Sequence, residues 1–91
     1  MVAPLARRDI ARAAKRLRDA RGHAFAERWT IDLRDWLLRR AAHGAVLGTG
    51  HPTRPGFRTF GYKRHATVLA AYTEDALIVV RLYMRGQDWT R

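Results

Sequence analysis

Cysteine and serine are both missing from the 91 residues. Without cysteine there is no disulfide, no zinc-thiolate site and no thiol redox chemistry. Without serine the commonest hydroxyl nucleophile is gone, and threonine or tyrosine replaces it poorly unless a base is placed beside it. Acidic residues are scarce: 8 Asp plus Glu stand against 18 Lys plus Arg, a formal net charge of +10, and none lies between Arg39 and Thr73. Long apolar runs are also absent. None approaches the roughly 18 residues that span a bilayer, and the opening Met1 to Asp9 lacks the apolar core of a secretory signal. A cytoplasmic protein without a membrane partner is therefore expected. One domain, residues 1–91, accounts for the length, and a core this small is marginal.

Metal and phosphate-loop chemistry find no support. His23, His43, His51 and His65 do not pair at metal-ligand spacing, and Gly48-Thr49-Gly50 has no strand before it and no helix after it. Neither a metal nor a cofactor is expected.

Arginine is what the chain has in excess, sixteen against two lysines. A codon bias towards arginine and alanine accounts for the composition but not for the placement. Arg39, Arg40, Arg54, Arg58, Lys63 and Arg64 all fall in the acid-free window, where they build an uncompensated positive field. The planar guanidinium fork suits phosphate and carboxylate alike. The partner this field implies is anionic: nucleic acid, an acidic protein surface or an acidic antagonist.

Periodicity divides the chain in two. Ile10, Ala13, Ala14, Leu17 and Ala20 follow three-and-four spacing and predict a helix from about Arg8, ended by Gly22. Phe25, Trp29, Leu33, Trp36 and Leu37 predict a second helix over Ala24 to Ala42, stopped by Gly44. A link this short makes the pair an antiparallel hairpin. Ile31 and Leu38, one heptad apart, point away from the second stripe. They either pack on the first helix or dock a partner, and the first reading is the simpler. Gly44 to Gly56 reads as a loop. Alternation then predicts strands over Arg58–Tyr62, His65–Tyr72 and Leu77–Met84, with turns at Lys63-Arg64 and Thr73-Glu74-Asp75. Val2 to Leu5 adds a short edge strand, against which Pro4 argues. The expected fold class is α+β: an N-terminal helical hairpin packed on a three- to four-stranded antiparallel sheet, with the last strand interior because it is apolar almost throughout.

That last strand, Ala76-Leu-Ile-Val-Val-Arg81-Leu-Tyr83-Met-Arg85, carries an arginine in its middle. A charge there is costly unless it is paired or opens onto a site. Arg81 is either tethered to Asp88 or a helix acid, or it joins Arg58, His65, Tyr83 and Arg85 in a cationic patch able to bind a phosphodiester and pass a proton. Arg85 is the freer of the two arginines, and Trp89 is an edge cap or a partner anchor.

The order Arg54-Pro-Gly-Phe57-Arg58, Lys63-Arg64-His65 and Val80-Arg81-Leu82-Tyr83-Met-Arg85-Gly86-Gln87-Asp88-Trp89 behind a helical hairpin resembles the RelE/ParE family of toxins from bacterial toxin-antitoxin modules. The Ala6-Arg-Arg-Asp9-Ile10 opening is similar to the family's first helix. The resemblance implies one of two activities. The ParE branch, associated with plasmid stabilization, poisons DNA gyrase; the RelE branch cleaves messenger RNA on the ribosome. Arg-Gly-Gln-Asp-Trp looks like the ParE ending, whereas Phe60 and Thr67 stand where the nuclease pattern places basic residues. The ParE-like reading assigns Arg58, His65, Arg81, Arg85, Asp88 and Trp89 to the gyrase-facing end. The nuclease reading gives Arg58, Arg81 and Arg85 the phosphate and His65 or Tyr83 the proton. In either branch the resemblance implies a cognate antitoxin, ribbon-helix-helix or similar, received by Ile31, Leu38 and Arg39. A charge-driven nucleic-acid-binding module is the third reading.

Overall fold

Two helices lead and four strands follow: α1 (Pro4–Arg21), α2 (His23–Ala42), β1 (Thr49–Gly50), β2 (Phe57–Tyr62), β3 (Ala66–Tyr72) and β4 (Leu77–Met84). The computed structural model describes residues 1–42, 48–73 and 76–87. Gly44 and the Glu74-Asp75 turn, like Asp88 and Trp89, lie outside the described residues. The strands form one antiparallel sheet in the order β1-β2-β3-β4.

α1 begins earlier than its apolar stripe suggests. Pro4 occupies the first helical turn, where its fixed φ is suitable and its missing N–H is not needed. The expected Val2–Leu5 strand is thereby reduced to one parallel bridge, Val2 to Val79, with Leu5 drawn into the helix. Gly22 closes α1 at φ 95°, donating its N–H to the Arg18 carbonyl at 2.9 Å, and α2 starts at the next residue. Positive φ favours glycine there.

The core lies between the hairpin and one face of the sheet. Ile10, Ala13, Trp29, Leu33, Val68 and Leu82 are among its buried members. The expected stripe on α2 holds for Trp29, Leu33 and Leu37, with Trp36 packed against the cluster. Phe25 departs from it: it is 38% exposed, with the Arg21 guanidinium 4.4 Å above its ring, and Ala26 is buried instead. Ala20 on α1 is exposed as well.

Two further differences come from the sheet. β1 forms inside the segment read as a loop, pairing Thr49 with Thr59 and Gly50 with Arg58. Gly48 sits so close to β2 that a Cβ would stand 2.2 Å from the Thr59 carbonyl oxygen, so no other residue fits there without moving the strand. β4 is at the end of the sheet rather than interior. Its apolar composition is satisfied by the helices on one face and by the N-terminal segment along its outer edge. There Val79 donates to the Met1 carbonyl, Ala3 donates to the Val79 carbonyl, and the Met1 amino group donates to the Leu77 carbonyl, all at 2.8 Å.

Tyr62 is 1% exposed and packs edge-on against Trp29 and tilted against Trp36, with centroid distances of 6.3 and 4.9 Å. Its hydroxyl has no hydrogen-bond partner among the described residues. Burying an unmet hydroxyl costs about 1–3 kcal/mol, so Tyr62→Phe is expected to leave stability unchanged or raise it by up to about 1 kcal/mol. A thermal melt checks this; a loss above that size would show that the hydroxyl is bonded.

Candidate functional site

The interior arginine is explained by a bulge. Leu69 pairs with Arg81 and Ala70 with Val79, which leaves Val80 without an opposite residue. Strict alternation would place Arg81 on the buried face with Leu77 and Val79. The extra residue reverses the parity, so Leu82 takes that face and Arg81 leaves the core. Arg81 then meets Asp9 of α1 in a two-pronged pair, Nε to Oδ2 at 2.8 Å and a terminal NH2 to Oδ1 at 3.2 Å. Asp9 Oδ2 also accepts the Leu82 backbone N–H at 2.9 Å. The hydrogen bond to Asp9, more than the carboxylate's charge, holds the Arg81 guanidinium above its ordinary pKa, against a smaller opposing effect of burial. Arg81 is thus the tether from β4 to a helix acid, Asp9, while Asp88, the other acid expected from the sequence, lies outside the described residues.

Beyond Leu82 the edge stays closed. The Met84 N–H donates to the Gln87 side-chain oxygen at 2.7 Å, within a turn that passes through Gly86 at φ 94°. The outward donors of Val79, Leu82 and Met84 therefore all have partners, which blunts a strand edge that would otherwise recruit another chain.

The sheet register separates the cationic residues that the sequence grouped together. Arg85 donates its N–H to the His65 carbonyl at 2.8 Å, so these two exposed residues adjoin at the end of the sheet where Lys63 and Arg64 turn. Tyr83 lies opposite Thr67 on β3, and the Arg81 guanidinium carbon is 5.3 Å from the Tyr83 ring centroid. Arg58 is opposite Ala70, four residues down β2 from Tyr62, roughly 13 Å at strand rise. It hydrogen-bonds the Gly48 carbonyl. His65, Arg85 and Tyr83 share one end of the sheet, whereas Arg81, opposite Leu69, lies mid-sheet, one register position from Arg58 opposite Ala70 with β3 between the two arginines.

On the hairpin, the reading that Ile31 and Leu38 pack against α1 is overturned: they are 49% and 69% exposed. Their register on α2 turns them away from the stripe that Leu33 and Leu37 bury. Leu38 borders a groove of about 660 Å³ between α1, α2 and the start of β4. Ile10, Ala14, Leu37, Leu77 and Val79 contribute apolar surface to it, and Arg7, Lys15, Arg18 and Arg34 surround them with cations. Arg39 is exposed beside Leu38.

Asp9 was the functional partner hidden from sequence reasoning. Two signals were available: it is the only acid in the first 18 residues, and it stands in the Ala6-Arg-Arg-Asp9-Ile10 opening. No group of three His, Cys, Asp or Glu is placed to hold a metal ion among the described residues, and no helix there is long and apolar enough to cross a membrane.

No protein-family model matches the chain, and no curated protein matches its sequence. Among solved structures it is similar to a chain described as "Chromosomal ParDE TA system from P. aeruginosa", with a TM-score of 0.73 at 15% identity, covering 91% of this chain and 90% of that one. At that identity the likeness is one of fold: two helices followed by a four-stranded antiparallel sheet.

Proposed function

We propose that a chain sharing its fold with a member of a ParDE system is itself the toxin of a type II toxin-antitoxin module, ParE-like, directed at DNA gyrase and neutralised by a cognate antitoxin. The observation that carries this reading is the likeness of fold across nine-tenths of both chains, together with the ParE-like motif order around Arg81 and Arg85. The nuclease alternative is weakened by geometry. Arg81 is committed to Asp9, and Arg58 sits at the far end of β2 from His65 and Arg85. Charge stabilisation of a phosphodiester needs such groups converging on one atom. The gyrase-facing end in this reading centres on His65 and Arg85, with Asp88 and Trp89 following, while Arg81 holds the strand and Arg58 stands apart.

The groove beside α1 and α2 is the antitoxin's place in this proposal. An apolar floor within a cationic rim fits an amphipathic helix with acidic flanks. Leu38, Ile31 and Arg39 extend that surface along α2. Changing Ile31 and Leu38 together to Asp is expected to weaken antitoxin binding by about 100-fold, the size of a lost pair of apolar anchors with repulsive charge added. A titration of the purified partners measures it, and unaltered affinity would remove the groove from the account. The whole reading is tested by inducing the chain in bacterial cells. Growth should stop, and co-expression of the small reading frame beside its gene should restore it. Unimpaired growth at full expression would count against it.

A further inference from the structure

We infer that the end of the molecule formed by the β2–β3 turn, the Met84–Gln87 turn and the adjoining flank of α1 is a track for the phosphate backbone of a nucleic acid. Two shallow concavities of mixed polarity meet there, and both are lined by Met84 and Gln87. The first, about 330 Å³, is bordered by Arg12 and Arg16 of α1 with Arg81 and Tyr83 of β4. The second, about 290 Å³, is bordered by Arg64, Thr67 and Arg85. Arg12, Arg16, Arg64 and Arg85 are exposed, and none makes an ion pair among the described residues. Among the described residues the one carboxylate lining either concavity is Asp9, and Arg81 and the Leu82 N–H already engage it. Four guanidinium groups without an ion-pair partner among the described residues therefore border two adjoining concavities.

The turn at its edge carries a second, independent sign. Lys63 and Arg64 both have positive φ, 48° and 62°. Two successive positive-φ positions in a turn are ordinarily filled by Asn-Gly, which adopts them without penalty, whereas side chains with a Cβ pay about 1 kcal/mol or more each. Two long cations are held there at a cost to the fold, as happens where a surface is kept for binding. Phosphate fits better than an acidic peptide because the track offers little apolar surface to anchor one. The apolar groove opens on the other flank of α1, at Arg7, Ile10, Ala14 and Arg18. The track does not depend on gyrase being the target.

The test is fluorescence anisotropy with a labelled duplex and a labelled single strand, across a salt series, on the full chain. Arg12→Gln with Arg16→Gln, and separately Arg64→Gln with Arg85→Gln, should each lower the salt slope on duplex by about 1.8, at about 0.9 per lost phosphate contact. Removing two cations elsewhere, Arg21→Gln with Arg28→Gln, should leave the slope within half a unit. Arg64→Gly should lower the slope by about 0.9 while raising the melting temperature, since it relieves the turn. Tighter binding of either strand form identifies the source of the phosphates and supports the track. An equal loss of slope in the Arg21/Arg28 variant would overturn it in favour of diffuse charge. So would an unchanged slope in the track variants, or displacement by polyglutamate as effective as displacement by nucleic acid.

Discussion

Replacing Asp9 with alanine should cost roughly 2–3 kcal/mol, a 30- to 150-fold shift towards the unfolded chain. The carboxylate satisfies three donors at once, two on Arg81 and the Leu82 N–H, and its side chain is 8% exposed. The full penalty of breaking a buried pair is reduced because the Arg81 side chain is 32% exposed and water can reach part of the orphaned guanidinium. Asp9→Asn keeps an acceptor for Leu82 and should lose about half as much. Urea unfolding followed by tryptophan fluorescence measures both, and a loss under about 0.5 kcal/mol for the alanine variant would show that the tether is ornamental.

The pair also fixes a sign in pH. The Arg81 pKa is raised in the folded state, so its contribution is complete below the ordinary guanidinium range and is lost only as pH climbs through the still higher folded value. No loss from this group is expected between neutral and moderately alkaline pH. The Asp9→Ala variant should also self-associate more readily, because an unpaired Leu82 N–H reopens the outer edge of β4.

Leu33→Ala should be at least as damaging, about 3–4 kcal/mol. Leu33 is completely buried at the centre of α2, in a core whose neighbours Ile10, Trp29 and Val68 cannot all move inward to fill the void. A chain of this length commands roughly 5–14 kcal/mol in total, so the melting temperature should fall on the order of 15–25 °C. Bound antitoxin should return much of the loss, since a ligand that binds only the folded form stabilises it by mass action. Scanning calorimetry with and without the partner separates the two effects, and a fall below about 5 °C would mean that the core around Leu33 repacks.

Much of this fold could be read from residue spacing because its helices and strands are locally consistent. Trp29, Leu33 and Leu37 mark one helical face, and Lys63-Arg64 marks the hairpin even though neither is a customary turn residue. What stayed hidden depends on contacts across the chain. The strand at Leu77–Met84 looked interior because it is apolar, but its outer edge is closed by Met1 to Ala3, Asp9 and Gln87, which no local pattern reveals. The parity of Arg81 turns on a single unpaired residue, Val80, whose bulge exists only once β3 is beside it. Asp9 lies 72 positions away, so spacing rules could only narrow the tether to an acid somewhere on the helices. Phe25 misled because an aromatic at the right interval can also lie under a neighbouring guanidinium at the end of a helix.

For the candidate site, the sequence supplied the residue types and the register sorted them. Arg85 and His65 adjoin, as strand pairing at that end required. Arg58 joins them in the sequence reading because adjacent strands could pair it into the same patch, although its place at the other end of β2 follows from counting residues back from the turn. Arg12 and Arg16 carry no signal in the sequence, because arginines on a basic helix look like solvated surface until a strand end is packed beside them.

The most direct test of the central claim pairs two assays on the same purified protein: supercoiling of relaxed plasmid by gyrase, and the integrity of message bound in a ribosome. A ParE-like toxin should block supercoiling, lose that effect when its antitoxin is added, and leave the message whole. Cleaved message with supercoiling unimpaired would contradict the account and return the chain to the nuclease branch.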